Sequence, residues 1–330
     1  MKRAPKHLLT AIKCVIMAVL ALYLVKSGRL NLTMLEPLFS TGTAAAFAAA
    51  LLLNLVQTFI FTKRYEMVIR AAGYNVRSKE LFKIVNIGLF FSNFLPSGAG
   101  GDILRVYYLK SRCGLPVMQA AAITLLDRIF AFLGLLLISF AAFFCIYTYR
   151  KSPSIELNLL FGAGIALIPL LCILFLTALR FSPIYNFFYN LIEKAAGRLF
   201  FGEKLLSFLS AARVLMNNLK VCFFSFLLAA IGQILLIAGV AGIAYAMYGE
   251  SAAIASIAVS GLVFASTVIP VTPGNLGMTE FVADILFGCM GVSGGAAVIL
   301  IWRVCQLLFS LLGGVFYLSI GKREAHQSIS

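Results

Sequence analysis

Six charged residues stand in stretches that are otherwise apolar: Asp102, Arg105, Asp127, Arg128, Glu280 and Arg303. A charge near the middle of a bilayer costs at least about 2.5–3.5 kcal/mol, so it usually finds a partner or serves a function. Two chemistries suit these side chains. The carboxylates can pair with the arginines and lock helices together. Alternatively, Arg128 and Arg303 offer forked donors to a phosphate, while a carboxylate releases the load or carries a proton. The residue types alone leave both open.

The charges border two similar stretches. The first runs from Ser92 through Asn93, Pro96, Gly98, Gly100 and Gly101 to Asp102, and Arg105 closes it. The second runs from Ser266 through Pro270, Thr272, Pro273, Gly274, Asn275 and Gly277 to Glu280. Each follows an apolar helical run, breaks it with proline and glycine, and ends on a carboxylate. The glycines let backbone approach a ligand and adopt positive φ, or let helices pack closely. Helix ends at such breaks expose N–H groups suited to an anion. Asn93, Thr272 and Asn275 suit either a bound headgroup or the capping of a broken helix. Arg128 and Arg303 follow Pro96 and Pro270 at nearly equal distances, so the chain reads as two copies of one device.

Composition sets the solvent around that device. The chain has 330 residues, 62% hydrophobic and 12% charged, with mean hydropathy +0.99. A soluble domain carries about 45–50% apolar and about 25% charged residues. An all-α polytopic membrane protein follows, long enough for six to eight spans of roughly 20 residues. The net charge of +15 reads as basic cytoplasmic loops rather than a nucleic-acid surface. None of the seven cysteines forms a CxxC pair, and His7 and His326 lie near the termini. Neither a metal site nor a cofactor is expected.

Six full spans are expected, with both termini cytoplasmic. They cover about Leu8–Val25, Phe39–Phe61, Ile129–Tyr149, Leu157–Leu179, Val221–Tyr248 and Ala296–Ile320. A basic cytoplasmic loop holding Lys63, Arg64, Arg70, Arg77, Lys79 and Lys83 follows the second span. Pro116–Tyr149 splits into a short helix to about Leu126 and the third span. The run Leu81–Leu95 reaches about 22 Å, short of a hydrocarbon core of roughly 30 Å. Basic residues flank it on both sides, so it dips in and returns as a re-entrant hairpin. Ala252–Met290 does the same from outside, after a tight turn at Gly249-Glu250. Residues 1–156 then form one membrane repeat and 157–330 a second. The second holds an amphipathic interfacial linker at about 180–220. Three crossings per half make the halves inverted in topology, an arrangement recurrent in transporters.

The motifs resemble those of the flippase-like family also called the lysylphosphatidylglycerol synthase transmembrane region. Asn93-x-Leu95-Pro96 leading to Gly100-Gly101-Asp102-x-x-Arg105 is similar to its first motif. Asp127-Arg128 resembles its acidic-arginine pair. Pro270-x-x-Pro273-Gly274-x-x-Gly277-x-x-Glu280 resembles the second motif, and Arg303 the last. The resemblance implies a role in moving phospholipids, aminoacylated lipids or lipid-linked intermediates between leaflets. In multiple peptide resistance factors a soluble aminoacyl-transferase domain follows this region. None follows in these 330 residues, so lipid aminoacylation is not expected.

The reading is a lipid translocase of the bacterial inner membrane rather than an enzyme. Its partner is a phospholipid or other anionic lipid, held in a midplane cavity between the hairpins. Whether it acts as a homo-oligomer stays open. Two alternatives are an intramembrane enzyme using Asp102 or Glu280 as base, and an accessory subunit of a polyprenyl-phosphate or glycolipid pathway.

Overall fold

The computed structural model describes residues 41–94, 100–150, 170, 177, 180–196, 202–268 and 278–327. Among these, ten α-helices and no strand occur: α1 Thr41–Ala71, α2 Ser78–Phe94, α3 Gly100–Cys113, α4 Val117–Arg150, α5 Ser182–Ala196, α6 Gly202–Met216, α7 Leu219–Tyr248, α8 Glu250–Ala265, α9 Met278–Cys289 and α10 Gly295–Gln327. One 3₁₀ turn, Ser266–Val268, ends α8.

Four helices are long and apolar enough to cross a bilayer: α1, α4, α7 and α10. Each holds a run of 25 residues or more, where about 20 suffice for the hydrocarbon core. They match four of the six expected spans. The expected spans at Leu8–Val25 and Leu157–Leu179 lie outside the described residues, apart from Leu170 and Thr177. The helices at the two breaks are shorter. α2 has 17 residues, α3 14, α8 16 and α9 12. At about 1.5 Å per residue none reaches roughly 30 Å.

Two boundaries differ from expectation. α4 is one continuous helix of 34 residues rather than a short helix followed by a span. Asp127 and Arg128 lie inside it because partners on other helices accept their charges, so nothing forces a break there. α1 continues to Ala71, so Lys63, Arg64 and Arg70 are helical rather than in a loop. Arg64 is 1% exposed and Glu66 4%. Glu66 is paired by Lys63 and Arg70, and it accepts from the Ser78 hydroxyl. The tight turn between α7 and α8 is present, with Gly249 at φ 81°, where a side chain would be strained.

Packing follows one rule in both parts of the chain. α2 packs on α3 and α3 on α4, as α8 packs on α9 and α9 on α10. Across the parts, α2 lies on α10 while α8 lies on α4, and α4 lies on α7 while α10 lies on α1. α1 and α7 pack on each other most extensively of all. Phe47 and Ala50 of α1 share an apolar cluster with Val240, Ile243 and Ala244 of α7. Tyr65, Val68 and Ile69 of α1 share another with Val221, Cys222 and Phe226. The two helices therefore run antiparallel. Midway, Gln57 Nε2 donates to the carbonyl of Gly232, 175 residues away, at 2.8 Å. The same offset carries Arg64 to Gly239, Asp127 to Trp302 and Arg128 to Arg303.

Small residues make these crossings close. A Cβ on Gly313 of α10 would fall 2.0 Å from the Asn86 carbonyl oxygen of α2, and one on Gly261 of α8 would fall 1.3 Å from Ser139 Oγ of α4. Gly134 lies against Ala229, and Gly239 against the Trp302 ring. These span glycines serve packing, as expected for small residues in membrane helices.

Candidate functional site

Asp102 is the third residue of α3, where the helix dipole favours a negative charge. Arg128 of α4 grips its carboxylate as a fork. Its Nε donates to Oδ2 at 3.0 Å and its Nη2 donates to Oδ1 at 2.8 Å. Arg105, one turn further along α3, brings Nη1 within 3.6 Å of the same carboxylate. Its side chain lies across α2 at Gly88, where a Cβ would sit 2.3 Å from Arg105 Nε. Gly101 makes that approach close as well, since its Cβ would fall 2.1 Å from the Gly88 carbonyl oxygen.

Two readings were open for Gly100 and Gly101: backbone offered to a ligand at positive φ, or close packing of helices. Both are buried and helical, as the packing reading has it, and neither is among the described glycines with positive φ. For Gly101 the reason is steric: α2 already occupies the space its missing side chain leaves.

Exposure divides the charges. The Arg128 side chain is 45% exposed and Asp102 28%, whereas Arg105 is 7% exposed. Asp127, beside Arg128 in sequence, faces the opposite way. Its Oδ1 accepts from Arg64 Nε at 2.7 Å, and its backbone carbonyl accepts from Arg64 Nη2 at 3.2 Å. That pair is buried, and Tyr65 joins Thr124 one turn away through a hydroxyl bond of 2.7 Å.

The second part repeats the Asp102–Arg128 arrangement. Glu280 is the third residue of α9, and Arg303 of α10 places Nε 2.7 Å from its Oε1. Both side chains are mostly buried, at 14% and 15% exposure. In each part, then, a carboxylate in the first turn after a break meets an arginine from the next long helix. The buried Arg64–Asp127 pair is not repeated, because Gly239 and Trp302 stand at the corresponding positions.

The two ion pairs sit beside different apolar clusters. Leu104, Val106 and Ile129 flank the first, and Val282, Ala283 and Trp302 the second. α1 contributes to both clusters. Between its two contributions it buries Asn54, Gln57, Thr58 and Thr62. Thr58 and Thr62 hydroxyls donate to carbonyls one turn back, and the Asn54 amide reaches Cys305 Sγ at 3.6 Å. Gln233 of α7 donates to the Ala131 carbonyl of α4. These residues, and Arg64, were not singled out from sequence. The recurrence of Asn54, Thr58 and Thr62 at four-residue intervals in an apolar run was the available signal.

Of the remaining sequence candidates, Asn93 lies half-buried in the last turn of α2. Pro96, Gly98, Pro270, Thr272, Pro273, Gly274, Asn275 and Gly277 lie outside the described residues. No group of three or more histidine, cysteine, aspartate or glutamate side chains able to hold a metal occurs among the described residues.

The family model described as "Lysylphosphatidylglycerol synthase TM region" matches residues 10–314. The chain belongs to that family. The lysylphosphatidylglycerol synthase TM region thus covers both breaks, the Asp102–Arg128 and Glu280–Arg303 pairs and the α1 polar face. Two archaeal relatives are named UPF0104 membrane proteins. The one from Methanocaldococcus jannaschii is 31% identical over 24% of this chain and 24% of its own length. The one from Methanothermobacter thermautotrophicus is 28% identical over 34% of this chain and 32% of its own. The chain thus aligns with about a quarter to a third of these relatives' length. No solved structure matches. Family membership and the four long apolar helices make the chain a multi-pass membrane protein of a lipid-related family.

Proposed function

We propose that this family member moves a lipid with a phosphate-bearing headgroup between the two leaflets of the cytoplasmic membrane. The observation that carries the reading is the repeated pair: Asp102 with Arg128, and Glu280 with Arg303. Each joins a helix that starts at a break to the next long helix. A carboxylate on a guanidinium fork is a stand-in for a phosphate, which the same fork binds with the same geometry. Headgroup phosphate would displace Asp102 from Arg128, and Asp102 would return when the lipid leaves. Glu280 and Arg303 would do the same at the other end of the path. The route runs beside the polar residues of α1, here buried against α7 and α10, and those helices part for the headgroup to pass while acyl chains stay in the bilayer.

The packing supports an inverted repeat. Corresponding helices α1 and α7 are antiparallel, and a two-fold axis that exchanges antiparallel helices runs across them, in the plane of the membrane. The short helices α2–α3 and α8–α9 fit re-entrant hairpins entering from opposite faces, with both chain termini cytoplasmic. Broken helices meeting across such an axis are a known way to build a substrate site.

Translocation of labelled phospholipid in proteoliposomes tests the reading. Arg128→Gln and Arg303→Gln are each expected to slow exchange between leaflets while the protein stays folded. Exchange at the unaltered rate in both variants would remove these arginines from the path.

A further inference from the structure

The two ends of the proposed path differ in charge. At the second end Glu280 and Arg303 pair one carboxylate with one guanidinium, and Asp284, one turn further along α9, accepts from the Ala296 N–H, so no guanidinium is in excess there among the described residues. The first end holds Asp102 and Asp127 against Arg64, Arg105 and Arg128. Asp127 is matched by Arg64, and Asp102 by Arg128. Among the described residues Arg105 is the guanidinium in excess. The other charges acting on it are Asp102, Asp127 and Arg128, together with the Tyr65 phenol.

Arg105 is also incompletely bonded. Its Nη2 lies 3.5 Å from the Val85 carbonyl, and its buried Nε has no hydrogen-bond partner among the described residues. It stands in the sixth position of α3, as Ala283 stands in the sixth position of α9. A methyl group at one end therefore corresponds to a buried, unmatched cation at the other. Asp102 is shared between Arg105 and Arg128; burying a cation beyond the matching anions is costly, so a ligand bringing one negative charge would complete the site.

We infer that the site formed by Arg105, Asp102 and Arg128 selects a headgroup of net charge −1, a phosphodiester without an amine. This rests on the translocase reading and narrows its substrate. A zwitterionic headgroup adds a cation where one is already in excess. A lipid bearing an aminoacyl group adds more positive charge still. A phosphomonoester brings close to two negative charges at neutral pH and overcompensates. The exposed Arg128 face admits the phosphate, and Arg105 supplies the charge behind it.

The test uses the full chain in vesicles containing equal amounts of phosphatidylglycerol, phosphatidylethanolamine and phosphatidic acid. Two quantities are read: lipid retained on the gently extracted protein by native mass spectrometry, and the rate at which labelled forms of each lipid change leaflets. Phosphatidylglycerol is expected to exceed phosphatidylethanolamine by about tenfold in retention, the size of one favourable charge contact of roughly 1.4 kcal/mol. Arg105→Gln should bring that ratio close to one, and Arg105→Lys should restore most of it. Asp102→Asn, which adds a second unmatched cation, should shift retention toward phosphatidic acid.

Equal handling of phosphatidylglycerol and phosphatidylethanolamine by the unaltered protein, with rapid exchange of both, would overturn the charge selection and leave the translocase reading standing. Selective retention without any exchange above that of protein-free vesicles would overturn the translocase reading and leave the anion site. Displacement of phosphatidylglycerol by millimolar inorganic phosphate would make the site one for free anions and overturn the lipid assignment. If Arg105→Gln does not fold against Gly88, Asp102→Asn still decides the matter, since an unchanged lipid preference in that variant contradicts the inference.

Discussion

Gln57 and Gly232 are joined by a hydrogen bond of 2.8 Å and lie 175 residues apart, the same offset that takes Arg128 to Arg303. Under that offset the bond links a position on α1 to its own counterpart on α7. Contacts on either side then come in corresponding pairs: Arg64 with Asp127, and Gly239 with Trp302. The contacts are alike in position and different in chemistry, with an ion pair at one end and an aromatic ring on a glycine at the other.

The α1–α7 crossing should therefore tolerate little volume. At Gly232 a Cβ would fall 2.4 Å from the Phe61 ring, whereas at Gly242, on the same helix, nothing lies within 4 Å. Gly232→Val is expected to lower stability by about 1–3 kcal/mol, the usual cost of overpacking. Gly242→Val should stay within about 0.5 kcal/mol of the unaltered protein, as for sites away from such contacts. Thermal unfolding of both variants in one detergent makes the comparison.

Arg64 and Asp127 should behave as a single buried unit. Their side chains are 2% and 8% exposed, so removing one strands the other. Arg64→Met or Asp127→Asn alone is expected to cost about 3–5 kcal/mol, while the double variant costs less than either added to the other. Additive losses in a double-mutant cycle of unfolding free energies would mean that the two side chains do not depend on each other.

How far the sequence discloses this arrangement differs from residue to residue. Asp102, Arg128, Glu280 and Arg303 were visible because charge inside an apolar run is costly and therefore informative. Arg64 was not, because it stands among basic residues beyond the end of an expected span, where loop lysines and arginines are common. Only a partner 63 residues away, Asp127, shows that it is interior. The continuity of α4 was hidden for the related reason that Asp127-Arg128 reads as an interruption until its partners are known. Gly101 was legible as a special position, but sequence did not distinguish approach to a ligand from approach to Gly88. The antiparallel pairing of α1 with α7 depends on contacts that no local pattern encodes.

The hairpin topology can be read chemically. In a background with the seven native cysteines replaced, single cysteines at Arg77 and Ser111 bracket α2–α3, and those at Ser251 and Ser293 bracket α8–α9; all four positions are exposed. Re-entrant hairpins place both members of each pair on one face, with the two pairs on opposite faces. An impermeant thiol reagent should label Ser251→Cys and Ser293→Cys from outside intact cells. Arg77→Cys and Ser111→Cys should react only after the membrane is opened. Labelling of one member of a pair from each side would mean that the hairpin crosses.

Stability and transport should separate along the exposure of the arginines. Arg128 is 45% exposed beside Asp102, whereas Arg64 is 2% exposed against Asp127, so on the proposed function Arg128 exchanges its carboxylate for phosphate while Arg64 keeps its own. Arg105 still faces the Asp102 carboxylate when Arg128 is replaced, so Arg128→Gln should lower stability less than Arg64→Met does. Its lipid exchange should nevertheless fall by at least about tenfold, since a transient contact worth roughly 1.4 kcal/mol has that effect on a rate. Arg128→Lys keeps the charge but loses the fork and should recover only part of the rate. Arg64→Met should show the reverse order: a large fall in unfolding temperature, and near-normal exchange per folded molecule at a temperature where it remains folded. Measuring exchange and unfolding on the same preparations distinguishes an arginine that holds the fold from one that handles the headgroup. Equal losses of both in both variants would mean that Arg128 serves structure alone.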